Sequence, residues 1–282
     1  MLLAYFDTNV FDHVLNRKGS VSATDEARLR LAIKEGRLHI VSSILNISET
    51  LGAMHSTRPE VTIPQLSLIM SLCDPDYYVK PHNLLLTDDL KHFAWNGEAD
   101  RAFLSSDIAS RLQFRTRRLI EGQEDGTALN GLIVEDSGQK SKFLNGVADA
   151  QRETSPQVKE LRAQGEVPTF AEYFNNGKEL FARTVADSFG LAEKCEDRGL
   201  SNLLRIPSLA TMVRLGMSFI YRTAVEGKRP RSSASRDLQH APTSAASSDF
   251  FVTHDGELAL LLKRVPIPSL RVVRLDELLQ SI

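Results

Sequence analysis

The sequence predicts an α/β fold, a central parallel sheet with helices packed on it, carrying a large helical insertion. Three observations support this expectation. Strand and helix signals alternate over the first third of the chain, as they do when parallel strands are joined by helices. The same alternation returns at the carboxyl end. Between about Asn96 and Gly227, strand signals are scarce and helix-like segments dominate.

In chain order, "LLAYF" (Leu2–Phe6) reads as the first strand. "SATDEARLRLAIKEG" reads as a helix, with Ser22 or Thr24 as N-cap and Gly36 as the stop. "RLHIVSS" is the second strand and "SILNISETLGAMHS" the second helix. Pro64 is expected in the first turn of a third helix, "IPQLSLIMSLCD". In the insertion, "KELFARTVADSFGLAEKC" and "LATMVRLGMSFIYRTAVEG" read as helices. The closing pattern is a strand "DFFVTHD", a helix "GELALLLKR" and a strand "SLRVVRL", with Pro266 and Pro268 at the join. The expected division is a discontinuous sheet domain, residues 1–95 and 228–282, and a helical insertion, residues 96–227, to which no role is assigned.

Composition bounds the function. With 42% apolar residues in 282, the chain can bury a sizeable core. A formal net charge of −2 means that any nucleic acid would have to be held by a local basic patch. The two cysteines, Cys73 and Cys195, have no paired spacing. That argues against a disulfide framework or zinc motif and fits a reducing compartment. Asp7 interrupts the one candidate leader, and no run of 18 apolar residues occurs, so a cytoplasmic protein without membrane contact is expected.

Four acids sit at structural junctions. Asp7 follows the first strand, and Glu49 lies on a helix face shared with Leu45, Gly52 and Ala53. Asp237 lies near a helix start, and Asp255 ends the strand "FFVTHD". In open parallel sheets, ligands bind beyond the carboxyl ends of the strands. Carboxylates gathered there repel one another unless a cation compensates. Oxygen ligands of this kind suit Mg²⁺ or Mn²⁺.

These residues resemble the PIN-domain nuclease family. The resemblance rests on "YFDTNVF" with Asp7, "SSILNISETLG" with Glu49, and "RDLQHAPTSAASSDFFVTHDGEL" with Asp237 and Asp255. Asp237 precedes Asp255 by eighteen residues, and Thr253 precedes it by two. The resemblance covers roughly residues 1–95 and 228–282. It implies a PIN-like three-layer fold and a metal-dependent ribonuclease. Asp7, Glu49, Asp237 and Asp255 would hold one or two Mg²⁺ or Mn²⁺ ions and carry hydrolysis of a phosphodiester. Pro242 falls inside the helix begun near Asp237 and is expected to kink it.

Thr8, Asn9, Ser48 and Thr253 are candidates for orienting the carboxylates. His240 and His254 read as supporting or structural neighbours. Asp249, at the start of the last-but-one strand, is expected on the opposite side of the sheet from the site. Lys228, Arg229, Arg231 and Arg236, just before Asp237, are candidates for phosphate contact, so RNA is the expected partner. A second basic cluster, "RLQFRTRRL", places Arg111, Arg115 and Arg118 near one helix face. An inhibitor protein or a second copy of the chain is a further partner class. The alternative to a nuclease is a non-catalytic PIN-like module that binds RNA or protein. An aspartyl phosphotransferase is disfavoured, because Asn9 stands where a second Asp would follow the nucleophile.

Overall fold

A computed structural model describes residues 1–19, 21–54, 59–123, 152, 156, 158–161, 163–228, 231, 233–264 and 270–282. The chain divides into two compact units, Met1–Leu85 with Arg101–Glu135 and Thr243–Ile282, and Leu86–Asp100 with Asp136–Pro242. Residues 101–135 are thus grouped with the sheet, although they fall in the stretch read from sequence as insertion.

The first unit is α/β. Its strands are β1 (Leu2–Phe6), β2 (Leu38–Ser43), β3 (Cys73–Val79), β4 (Phe250–Val252) and β5 (Arg271–Val273). They form one all-parallel sheet in the order β3-β2-β1-β4-β5. Helices α1 (Thr8–Asn16), α2 (Ala23–Lys34), α3 (Ile44–Glu49), α4 (Pro59–Leu72), α6 (Ser106–Ile120), α12 (Gly256–Arg264) and α13 (Leu275–Ser281) flank it. Helix α5 (His82–Asn96) starts in this unit and runs into the second.

Burial on both faces explains why β1 is apolar almost throughout. Ala4, Tyr5 and Phe6 are fully buried, as expected of a central parallel strand. Ala4, Phe6, Leu38, Ile40, Phe250 and Val252 share one core with Phe11, Leu29 and Leu278. A second cluster joins Ile44, Ile47, Leu66 and Tyr78 to Ala109 and Leu119 of α6.

Local chemistry sets the helix ends. Ser22 and Asp25 form a capping box that starts α2. Gly36, at φ +67°, turns the chain after it. Helix α4 begins at Pro59, so Pro64 lies inside it rather than in the expected first turn. Strand β3, "CDPDYYV", is not among the elements that the sequence predicts. The register shift between Val41 and Ser42, where β2 pairs with it, accommodates its Pro75. The expected prolines at the last join, Pro266 and Pro268, lie outside the described residues.

In the second unit, the described helices are the end of α5, α7 (Phe170–Asp187), α8 (Ala192–Arg198), α9 (Leu200–Leu203), α10 (Pro207–Ala224) and the first part of α11 (Ala234–Ser247). Their core contains Leu90, Phe93, Ala182, Cys195, Leu209 and Met217. A Cβ at Gly177 would meet Met217 at 2.9 Å, and one at Gly216 would meet Phe181 at 2.7 Å. The glycines therefore set how closely α7 and α10 approach.

Asn46 ties α3 to the central strand. It is fully buried, and its Nδ2 donates to the Phe6 carbonyl at 2.9 Å and to Thr8 Oγ1 at 3.2 Å. Asn46→Ala is expected to leave that carbonyl without this donor and to cost about 1–3 kcal/mol. Urea unfolding measures the loss. A change below about 0.5 kcal/mol would mean that the bond does not hold α3 in place.

Candidate metal centre

The strand order reverses between β1 and β4, so the crevice beyond their carboxyl ends is where a ligand is expected to bind. Asp7 stands at the end of β1, and its N–H donates to the Val252 carbonyl at 3.0 Å, extending the sheet by one residue. It occupies the N-cap position of α1, yet its side chain makes no capping hydrogen bond. Instead Oδ2 accepts from Asn9 Nδ2 at 2.6 Å and from Thr253 Oγ1 at 2.7 Å. Asn9 Oδ1 accepts from the His254 N–H at 3.0 Å. The DTN sequence after β1 is thereby locked to the end of β4, and Asp7, 9% exposed, is held in one plane.

The second strand brings Glu49 on α3. Ser43 starts that helix by accepting from the Leu45 N–H at 3.1 Å, and it also accepts from the Tyr5 hydroxyl at 3.1 Å. Burial pushes the Tyr5 phenol well above its usual pKa, and the negative charges of Glu49 and Asp7 add to the rise. The phenol stays neutral beneath the two carboxylates.

Helix α11 runs on despite Pro242 inside it. It carries Asp237 and His240, both buried, three residues apart and so on one face. Asp7, Glu49 and His240 form a group whose ligand atoms all lie within 4.8 Å of one another. These three side chains could hold a metal ion. Metal–ligand bonds of about 2.0–2.2 Å place two ligands of one ion roughly 3–4 Å apart, so small side-chain adjustments suffice. Two carboxylates and an imidazole, two of the three residues buried, also make a donor set whose negative charges a cation would offset.

Asp237 and Asp255 are not in that group. Asp255 Oδ1 accepts from the N–H groups of Glu257 at 2.9 Å and Leu258 at 3.0 Å, so it caps α12. His240, which reads from the sequence as a supporting or structural neighbour, is the third member. The available signal was its spacing of three from Asp237 on one helix.

The expected supporting residues divide. Thr8, Asn9 and Thr253 belong to the network around Asp7. Ser48 turns its hydroxyl back on the Leu45 carbonyl of its own helix. Asp249 caps the other end of the sheet: its Oδ2 accepts from the Leu3 N–H at 2.9 Å. Among the basic residues, Lys228 is exposed and lies 3.7 Å from Glu226. Arg231 is exposed and Arg236 half-buried, while Arg229 lies outside the described residues.

His254 stacks on His13, with ring centroids 4.2 Å apart and planes 6° from parallel. Burial, then the charges of His13 and Arg274, lower the His254 pKa to about 4. The folded chain therefore keeps His254 neutral where the unfolded chain, near pKa 6.5, would take a proton. Stability from this source is full above about pH 6.5 and falls progressively toward pH 4. In His254→Gln, the loss of stability between pH 7 and pH 4.5 is expected to be smaller than in the wild type, as read from urea midpoints. Equal losses would rule out His254 as a contributor.

Comparisons with protein-family models, with curated proteins and with solved structures give no match.

Proposed function

We propose that the protein is a metal-dependent nuclease that hydrolyses phosphodiester bonds, with RNA as the substrate. The observation that carries the reading is the convergence of Asp7, Glu49 and His240 within 4.8 Å, with Asp7 at the reversal point of a parallel sheet. Asp7, Glu49 and His240 would hold the ion. A nitrogen ligand beside two carboxylates favours Mn²⁺ over Mg²⁺. When bound, the ion supplies Lewis-acid chemistry: it lowers the pKa of water and offsets charge on a phosphoryl group.

The chain's own residues do the positioning. Asn9 and Thr253 fix the plane of the Asp7 carboxylate. Asn46 holds Phe6 and Thr8, the neighbours of Asp7, against α3. Asp255 sets the start of α12, and Asp237 lies on the helix face that presents His240. Lys228 and Arg231 offer positive charge to phosphates of the strand.

The test is cleavage of a mixed RNA pool with Mn²⁺, Mg²⁺ or EDTA. Cleavage is expected with Mn²⁺, more weakly with Mg²⁺, and not in EDTA. Glu49→Gln is expected to abolish it. Cleavage that survives EDTA, or that is equal in Glu49→Gln, would remove the nuclease reading.

A further inference from the structure

The outer face of α6 has no part in the metal centre, yet its composition is unlike an ordinary solvated surface. Ala109, Thr116 and Leu119 on the inner face are buried, and Ala109 and Leu119 pack with Ile44, Ile47, Leu66 and Tyr78. The other side presents Arg111, Phe114, Arg115 and Arg118 at helical spacings of three and four. Phe114 is 61% exposed and Ile108 is 48% exposed. The Arg118 guanidinium lies 5.8 Å from the centre of the Phe114 ring. Among the described residues, no carboxylate pairs with Arg111 or Arg115.

We propose that this face binds a single strand of RNA, with Arg111, Arg115 and Arg118 on phosphates and Phe114 stacked under a base. Arg111 and Arg115 are about 6 Å apart along the helix axis, comparable to the step between successive phosphates of a strand. An aromatic ring open to solvent between arginines offers a stacking surface that accepts any unpaired base. A base in a duplex could not reach it without leaving its stack.

A membrane surface fits less well. An interfacial helix needs a broad apolar face for the lipid, and the broad apolar face of α6 is already buried in the protein core. RNA rather than DNA rests on the nuclease reading. Because α6 shares its core with Ile47 of α3, a strand held there is held by the unit that contains Asp7 and Glu49.

The test is fluorescence anisotropy with a labelled 12-nucleotide oligouridine in EDTA, which separates binding from cleavage. Arg111→Gln with Arg115→Gln is expected to weaken binding about tenfold or more. It should also reduce the slope of log K against log salt by about 1.4, two single-strand phosphates' worth. Phe114→Ala is expected to cost about tenfold with little change in salt slope. All three positions are exposed, so melting temperatures should stay within about 1 °C of wild type.

Unchanged affinity in the double variant overturns the proposal, as does a wild-type chain that binds no oligouridine. Tighter binding of the matching DNA oligomer, or an effect of the substitutions confined to phosphatidylserine vesicles, also overturns it. Loss of binding in the α6 variants of a chain that never cleaves RNA supports the surface and sinks only the nuclease reading.

Discussion

In Asp7→Asn, Mn²⁺ is expected to give little of the thermal stabilisation that it gives the wild type. An ion that binds only the folded chain, supplied at about 100 times its Kd, adds roughly 2.7 kcal/mol. For a chain of this size that is a rise of about 5–10 °C in Tm. The substitution removes one of two carboxylates in the group within 4.8 Å while keeping the side-chain shape. Two further outcomes follow. In EDTA the variant is expected to be as stable as wild type or slightly more so, because Glu49 loses a like-charged neighbour. RNA cleavage is expected to fall by more than about 100-fold, the upper range for losing a residue that merely supports a ligand. Equal Mn²⁺ shifts in the two proteins would exclude Asp7 as a ligand.

Phe6→Ala is expected to cost about 3–5 kcal/mol. The ring is fully buried, packs 5.7 Å from Phe11, centre to centre, and lies in the core of β1, β2 and β4. Its loss leaves a cavity in the core that supports the end of β1, one residue before Asp7. Residual chemistry should therefore suffer along with stability, and Phe6→Leu should restore much of both. Denaturant unfolding followed by circular dichroism reads the change, the transition of the sheet unit being the relevant one if the two units unfold separately. A loss below about 1 kcal/mol would mean that the core closes around the missing ring.

Much of this architecture was legible because local and long-range signals agreed. "LLAYF" is apolar since its strand is covered on both faces, and Ser22 announced α2 through a capping box. Asp7 stood out because a carboxylate at the end of a buried strand needs a partner. Strand β3 was hidden by Asp74, Pro75 and Asp76, which break any apolar alternation. They are tolerated because the strand lies at the sheet edge, where Asp74 and Pro75 are only partly covered or exposed. Asp255 shows that one carboxylate can be read in two ways. The same residue type at a strand end can be placed for a ligand or used on backbone N–H groups, and here two such groups use one of its oxygens. His240 is not legible as a ligand, because helix periodicity says which residues share a face, not which face another strand's carboxylates will meet.

The central strand is joined on one side to a strand that follows it by about 36 residues and on the other to one some 246 residues away. The long pairing delivers Thr253 to Asp7. On the ribosome, at about 5–20 residues per second, the interval between those two residues lasts roughly 12–50 s. Throughout it, β1 has at most one neighbour and keeps an open edge. A nascent chain therefore cannot close its crevice before synthesis has passed Thr253, and prematurely terminated chains lack the hydroxyl that orients Asp7. Such fragments should be inert toward RNA, and their exposed β1 edge is a template for aggregation.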